Sequence, residues 1–368
     1  MNKYLKAFSN SKIFIDYLLS NSSIKDDWKH IDNAVDWLLN SQENVGNTGY
    51  AHSYHFIYGW QESYPETTGY IIPTLLEIYK ITNDEKIYNS VKLAVEWLKN
   101  IQNQDGSFND LQGNKQIFDV GQILIGFNYI YEYFPEFNIE NNLLNAMQWL
   151  CSVQNDDGSF TKYSYNNIPH TYYSRVGAAI LKSGDLLNND DTKVYGMKNI
   201  YWTISNQLEN GFFKFSSFSK HDPYLHTMVY ILEGLLDAYA ITSKKKILES
   251  ILKFSSKLLD TSKRDTILYS QYDENYICTN KEYCMTGLSQ WTGVCYRIFK
   301  ITNNKEYKID GDKTLKYVKS KQIFSINKKI NGGITGSFPL NGKYMKYSIP
   351  NWGLKFYLDS LLLGKNVE

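Results

Sequence analysis

Six long segments of the chain are apolar on almost every side of a helix, and each follows a stretch rich in turn-forming residues. They lie at residues 68–81, 120–133, 174–187, 226–240, 286–301 and 351–363. A helix that is apolar all round is a buried helix. We therefore expect these six helices to form an inner ring with a second ring of helices around it.

A shared pattern precedes these segments: an aromatic residue, a Gln five positions later, and then a glycine turn. Copies of the pattern begin at Trp37, Trp97, Trp149, Trp202 and Tyr317. In the two clearest copies, Gln102 and Gln154 lead into the tetrapeptide Asp-Gly-Ser-Phe, and a sixth, eroded copy is expected near residues 258–269. The aromatic residue marks the buried stripe of an amphipathic outer helix, and Asp-Gly ends that helix in a turn. We interpret the motif as structural rather than catalytic.

The copies recur about every 55 residues, which identifies a helical-hairpin repeat. A chain of 368 residues is long for one ordinary core, but repeats escape that limit because each hairpin packs mainly on its neighbours. The prediction is an all-α fold, an (α/α)6 toroid of about six hairpins. One domain is expected to span residues 1–368, with residues 1–27 as an N-terminal helical extension.

Composition narrows the function. The net charge is +1, from 39 Lys+Arg and 38 Asp+Glu, and no basic block interleaves with aromatic residues. Nucleic acid is therefore not an expected partner. The 31 Tyr offer flat faces with a polar edge, a surface that suits sugar rings.

Cysteine and histidine usage argues against a metal site. The four Cys form no CxxC pair and the six His have no metal-ligand spacing, so neither a metal nor another cofactor is predicted. The chain shows no signal-peptide or membrane-span pattern, and so few Cys suit a reducing compartment. The predicted location is the cytoplasm.

The start of each inner helix is where chemistry is expected. In a ring of alternating hairpins all inner helices run the same way, so their N-terminal ends, with unpaired N–H groups and positive dipole ends, meet at one mouth. The predicted catalytic residues at these starts are Tyr64, Glu66, Tyr173 and His226. The predicted substrate-binding residues are Trp60, Tyr70, Asp119, Gln122, His170, Tyr172, Arg175, Gln290, Trp291, Ser337, Asn351, Trp352 and Lys355. Structural interpretations stay open for some of them: Glu66 and Asp119 as helix caps, and His226 as a hydrogen-bonded core histidine.

Several of these segments resemble VpsJ-like proteins of bacterial exopolysaccharide gene clusters. The resemblance is carried by residues 59–73, 226–227, 286–290 and 336–339, and by Pro350-Asn351-Trp352 with Lys355. It implies a cytoplasmic role in surface-polysaccharide assembly on an α/α toroid, with a saccharide substrate and other assembly proteins as partners. The Gln…Asp-Gly-Ser-Phe repeats also resemble those of squalene and terpene cyclases. That likeness concerns the scaffold, because the Asp-rich acid motif of the cyclases and the zinc set of protein prenyltransferases are both missing.

A more distant comparison with uronyl C5-epimerases on α/α barrels supplies the favoured chemistry, an epimerase or lyase. Such a reaction needs a cation on the sugar carboxylate and acid/base groups on both faces of the ring. Arg175 or Lys355 would hold the carboxylate, and the four predicted catalytic residues would exchange protons. A glycoside hydrolase would instead use a carboxyl pair, for which Glu66 and Asp119 are the candidates. A non-catalytic glycan-binding protein and a cyclase-like isoprenoid enzyme remain as alternatives.

Overall fold

The computed structural model describes residues 12–20 and 23–367. Between Asp27 and Lys365 it contains twelve α-helices that form six hairpins, each an outer helix followed by an inner one. The outer helices are Asp27–Asn44 (α1), Glu85–Ile101 (α3), Glu140–Ser152 (α5), Asp190–Ser205 (α7), Lys245–Asp265 (α9) and Lys305–Lys319 (α11). The inner helices are Pro65–Thr82 (α2), Ile117–Tyr133 (α4), Ser174–Leu186 (α6), Leu225–Thr242 (α8), Met285–Thr302 (α10) and Asn351–Lys365 (α12). The predicted α/α toroid is confirmed.

The inner helices form a closed ring. Each packs on the next inner helix along the chain, and α12 packs back on α2. Because every inner helix is enclosed by two inner neighbours and an outer helix, most of its residues are buried on all sides. This explains the all-round apolar segments of the sequence.

In five of the six repeats, the repeated Gln links its own turn to the next outer helix around the ring. The side-chain amide of Gln102, for example, donates to the Gly106 carbonyl in its own turn at 3.1 Å and to the Asn142 carbonyl of α5 at 2.9 Å. The corresponding Gln42, Gln154 and Gln207 make the same two kinds of bond. The motif therefore stabilises the ring.

In the last repeat the same device closes the ring. The amide of Gln322 donates to the carbonyls of Gly332 and His30 at 3.0 Å each, and His30 belongs to α1. Turn glycines such as Gly106 and Gly332 pack directly on the backbone of the neighbouring outer helix. A Cβ on Gly332 would lie 1.8 Å from the Asn33 carbonyl oxygen, and Gly332 has φ +82°. Only glycine fits such a position.

Connections differ sharply between the two mouths of the ring. Inner helices turn into outer helices through short links such as Asn83-Asp84, where Asn83 adopts a left-handed conformation and the Asp84 carboxylate caps α3 at Lys86 N. Outer helices reach inner helices through much longer loops, at residues 45–64, 102–116, 153–173, 206–224, 266–284 and 320–350. The long loops therefore all cover the mouth where the inner helices begin.

These loops contain the short strands of the molecule. Ser53–His55 (β1) pairs antiparallel with Gly59–Trp60 (β2) and with Ser348–Pro350 (β7), and this sheet joins the first and last loops. Two smaller ladders pair Gln271–Tyr272 (β3) with Cys278–Asn280 (β4), and Tyr283–Cys284 (β5) with Ser337–Phe338 (β6). Single 3-10 turns lie at Pro135–Phe137, Tyr165–Asn167 and Thr171–Tyr173.

The predicted N-terminal extension lies partly outside the described residues. Residues 12–18 are helical, and the rings of Phe14 and Tyr17 contact Phe56 at centroid distances of 5.5 and 5.4 Å. Across the described part of the chain, every helix is too short or too polar to cross a membrane.

A candidate active site at the mouth of the inner ring

A cavity of about 390 Å³ opens where the inner helices begin. The first turns of α2, α4, α8 and α12 contribute to its wall, together with long loops. Its lining residues are His52, Tyr64, Glu66, Thr67, Tyr70, Asp110, Leu111, Gln112, Gln116, Phe118, Asp119, Tyr165, Tyr172, Tyr173, Phe218, His226, Tyr230, Tyr344, Met345 and Trp352. All four residues predicted to be catalytic, Tyr64, Glu66, Tyr173 and His226, line this one cavity.

Two carboxyl groups share the cavity wall. Glu66 is the second residue of α2, after Pro65 at the first helical position, and Asp119 lies in the first turn of α4. Both sit at the positive ends of helix dipoles, which favour negative charge. Asp119 is buried, its Oδ2 has no hydrogen-bond partner among the described residues, and Glu66 is half-buried. The phenol of Tyr64 interacts with both carboxyl groups.

Burial dominates the titration of this pair. It raises the pKa of Glu66 from 4.5 to about 7, although the Tyr64 hydroxyl and the positive charge of Arg175 act in the opposite direction. Burial, and then the nearby charge of Glu66, raise the pKa of Asp119 well above its ordinary value. Near neutral pH Glu66 is therefore about half ionised, and Asp119 holds its proton more tightly than an ordinary aspartate does. Such a pair can donate and accept protons.

His226 faces the same cavity from the second position of α8. Burial lowers the pKa of its imidazole to about 3, helped by the positive charge of Arg175, so the ring is neutral at physiological pH. Its Nδ1 lies 2.7 Å from the side-chain oxygen of Gln290. The ring also packs on Tyr230, with centroids 4.3 Å apart.

The remaining wall is largely aromatic. Phe118 stacks on Tyr173 with centroids 5.6 Å apart and meets the edge of Tyr172 at 5.4 Å. On another side of the cavity the Trp352 indole N–H donates to the Tyr344 hydroxyl at 2.8 Å, and His52 packs against Trp352 at 4.8 Å. Flat apolar faces with hydroxyl and imidazole edges are suited to stacking on a sugar ring while hydrogen-bonding its hydroxyl groups.

No Lys or Arg lines the cavity among the residues the structure describes. Arg175, predicted to bind a carboxylate ligand, is buried beneath the wall and already paired. Its Nη1 donates to Glu233 Oε2 at 2.9 Å and its Nε donates to Gln122 Oε1 at 2.9 Å. Lys355 is likewise paired, with Asp359 on the next turn of α12. Burying either charge would be costly without these partners, and the partners occupy the groups that a substrate carboxylate would need.

Four of the predicted binding residues line the cavity: Tyr70, Asp119, Tyr172 and Trp352. The others do not line it, and their side chains are bonded to or packed on other parts of the protein. Gln122 and Gln290 belong to the buried network around Arg175 and Glu233. Trp291 donates to Asp310 of α11 at 2.7 Å, and Asn351 donates to Thr67 at 2.8 Å across the ring closure.

Three further predicted residues hold loops in place. Both ring nitrogens of His170 face backbone carbonyls, those of Tyr165 and Ser217, and its ring stacks on Tyr172. Ser337 bonds to the Tyr344 carbonyl. Trp60 lies in a separate shallow groove, where it packs on Trp37 at 5.0 Å.

Sequence reasoning missed several of the lining residues that come from long loops. His52, Tyr165, Phe218 and Tyr344 lie far from one another along the chain and at no shared position of the repeat. Phe118 and Tyr230 carried a usable signal. Phe118 directly precedes Asp119, and Tyr230 lies one helical turn after His226 and therefore on the same face.

Comparisons with known proteins agree on the scaffold. The model of the prenyltransferase alpha-alpha toroid domain family matches residues 13–214 and 168–335. No curated protein sequence matches the chain significantly.

Solved structures give the same result at low sequence identity. An unsaturated glucuronyl hydrolase specific for heparin has a TM-score of 0.74 at 15% identity, covering 93% of this chain and 98% of that one. A second such hydrolase, from Bacillus sp. GL1 and responsible for the degradation of glycosaminoglycan, has 0.73 at 13% identity, covering 91% and 96%. Cellobiose 2-epimerase from Bacillus thermoamylovorans B4167 has 0.70 at 13% identity, covering 91% and 98%. At these identities the likeness establishes a shared fold.

Proposed function

The chain belongs to the prenyltransferase alpha-alpha toroid domain family, and on this scaffold we propose a carbohydrate-active enzyme that works by acid–base catalysis in the mouth cavity. The observation that carries the proposal is the placement of two carboxyl groups, Glu66 and Asp119, in one aromatic cavity with strongly raised pKa values. Perturbed carboxyl groups of this kind concentrate at catalytic sites.

A saccharide is the substrate class that the cavity wall supports. Its rings offer stacking faces, and its Tyr, His and carboxyl groups offer hydrogen bonds to hydroxyl groups. The structural neighbours named as a glucuronyl hydrolase and a cellobiose epimerase act on sugars and lend support on the same scaffold. The resemblance to VpsJ-like proteins would place this substrate among the saccharides of surface-polysaccharide assembly.

Glycoside hydrolysis is the reaction that the geometry supports best. Asp119 has a buried carboxyl group whose pKa is raised and, among the described residues, a carboxyl oxygen without a hydrogen-bond partner, so it suits the general acid that protonates the leaving oxygen. Glu66 is more accessible and ionises near pH 7, so it suits the carboxylate that activates water or attacks the sugar. Tyr64 interacts with both groups and would orient them.

The favoured substrate carries no negative charge. A uronate would meet the two carboxyl groups without a free cation from the described residues, since Arg175 and Lys355 are paired with Glu233 and Asp359. Uronyl C5-epimerisation needs that cation to stabilise charge developing on the sugar carboxylate. The geometry therefore gives this reaction less support than hydrolysis.

Epimerisation of a neutral sugar is the second candidate, because a neutral imidazole shares the cavity with Glu66. His226 could exchange a proton beside a sugar carbonyl while Glu66 serves the opposite role. Such an enzyme would invert a sugar carbon without releasing a reducing end.

The test uses the full-length protein and a panel of neutral and amino-sugar oligosaccharides, followed by reducing-end assay and proton NMR. We expect turnover of at least one neutral oligosaccharide. Glu66→Gln and Asp119→Asn should each lower kcat about 10²- to 10⁴-fold and leave saccharide affinity within a few-fold of wild type by calorimetry. Glu62→Gln, which changes an exposed carboxylate on the loop that leads into α2, is the matched control.

Three results would contradict hydrolysis. Inversion at a ring carbon without reducing ends would indicate epimerisation. Binding without turnover would indicate a glycan-binding protein. Full activity in Glu66→Gln would remove Glu66 from the mechanism.

A further inference from the structure

We propose that Gln290 and Glu233 are positioning residues that hold His226 as a neutral imidazole protonated on Nδ1, so that its Nε2 lone pair is left to accept a hydrogen bond from a saccharide hydroxyl. The choice of a saccharide as the ligand rests on the proposed function, whereas the protonation state of the imidazole does not.

A buried chain of hydrogen bonds leads from the centre of the ring to the cavity wall. Arg175 Nη1 donates to Glu233 Oε2 at 2.9 Å, and Gln290 Nε2 donates to the same oxygen at 3.0 Å. The other end of the Gln290 amide, Oε1, lies 2.7 Å from Nδ1 of His226. All four residues are at most 9% exposed, so water does not compete for these bonds.

The charge of Glu233 fixes the orientation of the Gln290 amide. A carboxylate oxygen paired with a guanidinium accepts hydrogen bonds and does not donate them. If the amide were flipped, its oxygen would face Glu233 Oε2 at about the same distance, and two buried acceptors would repel each other. The amide nitrogen must therefore face Glu233, and the amide oxygen must face His226.

This orientation decides the tautomer of His226. An amide oxygen accepts only, so Nδ1 must carry the proton and donate it. The proton on Nδ1 of a neutral ring leaves Nε2 as a lone-pair acceptor. Within the described residues Nε2 has no hydrogen-bond partner, and His226 lines the cavity.

The neighbours of the ring favour the neutral form on every side. Tyr230, Tyr344 and Phe356 pack around it at centroid distances of 4.3, 5.5 and 6.2 Å. The nearby Arg175 disfavours a second positive charge. A purely structural core histidine would be expected to satisfy both nitrogens within the protein. His226 satisfies one, on the side away from the cavity.

The first test is the ¹⁵N NMR signature of the histidines in the full-length protein at pH 7, with His226→Gln used to assign the signals. We expect a pyrrole-type signal for Nδ1 and a pyridine-type signal for Nε2. A proton on Nε2, or an imidazolium, would overturn the proposal without any knowledge of the substrate.

Variants separate positioning from folding. Gln290→Leu removes the acceptor, so the proton should redistribute to Nε2. In Gln290→Glu the new carboxyl can share a proton with Glu233 and still offer an oxygen to Nδ1, so the wild-type signature should return. Gln122→Leu is the matched control because it deletes another buried amide bonded to Arg175 but leaves the Gln290–His226 bond in place. An unchanged tautomer in Gln290→Leu, or a change in Gln122→Leu, would contradict the assigned role.

The activity measurement distinguishes this proposal from the proposed function. With a saccharide identified as a substrate, Gln290→Leu should lower kcat about 10- to 100-fold, the range typical of losing the partner that orients a metal-bound histidine. Restored kcat in Gln290→Glu would support positioning, and unchanged kcat in Gln290→Leu would refute it. If the tautomer is as expected but no saccharide is turned over, the proposed function fails while the positioning of His226 stands.

Discussion

Glu66 should make the protein less stable at alkaline pH, and Glu66→Gln should reverse this. The pKa of its carboxyl group is about 7 in the folded protein against an ordinary 4.5, because burial disfavours the charged form. The native protein therefore holds a proton that the unfolded chain releases between those pH values. The free energy of unfolding falls as pH rises through this window, and the full cost is present above about pH 7.

The size of the effect follows from the two pKa values. The difference between 4.5 and about 7 corresponds to a ceiling of about 3 kcal/mol. Glu66 is half-buried, so solvent entering the cavity reduces this, and we expect about 2 kcal/mol. Asp119 should increase the stabilisation gained in Glu66→Gln, because the charge of Glu66 also raises the pKa of Asp119.

Urea unfolding of wild type, Glu66→Gln and Glu62→Gln at pH 4.5 and pH 8 measures this directly. At pH 8 we expect Glu66→Gln to be about 2 kcal/mol more stable than wild type, and at pH 4.5 nearly equal to it. Glu62→Gln should follow wild type at both pH values, because that side chain is exposed. Two results would refute the assignment of a buried environment that disfavours charge on Glu66. One is a stability difference between wild type and Glu66→Gln that does not change with pH. The other is a wild type that is more stable than Glu66→Gln at pH 8.

Three further predictions concern the ring and the cavity wall. Gln322→Leu should lower the free energy of unfolding by about 2–4 kcal/mol because the hydrogen bonds that it removes are fully buried. Gln102 is half-buried, so water can replace the bonds lost in Gln102→Leu, at a cost of about 1 kcal/mol. Equal losses by urea unfolding would contradict this. Gly332→Ala should lower the stability by more than about 3 kcal/mol, because its Cβ would overlap the Asn33 carbonyl. Gly59 has a similar φ of +83° but no atom within 4 Å of a Cβ, so Gly59→Ala should cost only about 1 kcal/mol of backbone strain. Thermal melts of both variants measure the contrast. Phe118→Ala should weaken binding of the identified saccharide about tenfold without unfolding the protein. Calorimetry would measure the affinity, and circular dichroism would check the fold. Unchanged affinity would place the sugar elsewhere.

The helices and their repeat were predictable because their causes are local. The six predicted apolar segments correspond to α2, α4, α6, α8, α10 and α12, with ends shifted by a few residues. The predicted eroded repeat near residues 258–269 corresponds to the end of α9. The repeated Gln is missing there, but the outer helix remains. The interpretation of the Gln and Asp-Gly motif as structural agrees with its hydrogen bonds to the next outer helix.

The site was predictable only in part. Glu66, Asp119 and His226 were found because each stands at the start of an inner helix, and helix starts converge at one mouth. Arg175 and Lys355 were expected to face a substrate, and the structure shows them paired with Glu233 and Asp359 instead. Glu233 was not singled out, although it is the acceptor on which the buried network depends.

The sequence by itself determined which segments are helices, how often the hairpin repeats, and at which mouth the polar residues gather. Only the tertiary structure decided how each inner helix is rotated about its axis. A helix buried on all sides has no polar face to mark its orientation, so its hydrophobic pattern carries no information on which residues point to the cavity. The long loops add a second limit, because His52, Tyr165 and Tyr344 reach the same cavity through contacts between distant parts of the chain. The two cavity carboxyl groups thus follow from the sequence, whereas their surroundings, which raise their pKa values, follow from the closure of the ring.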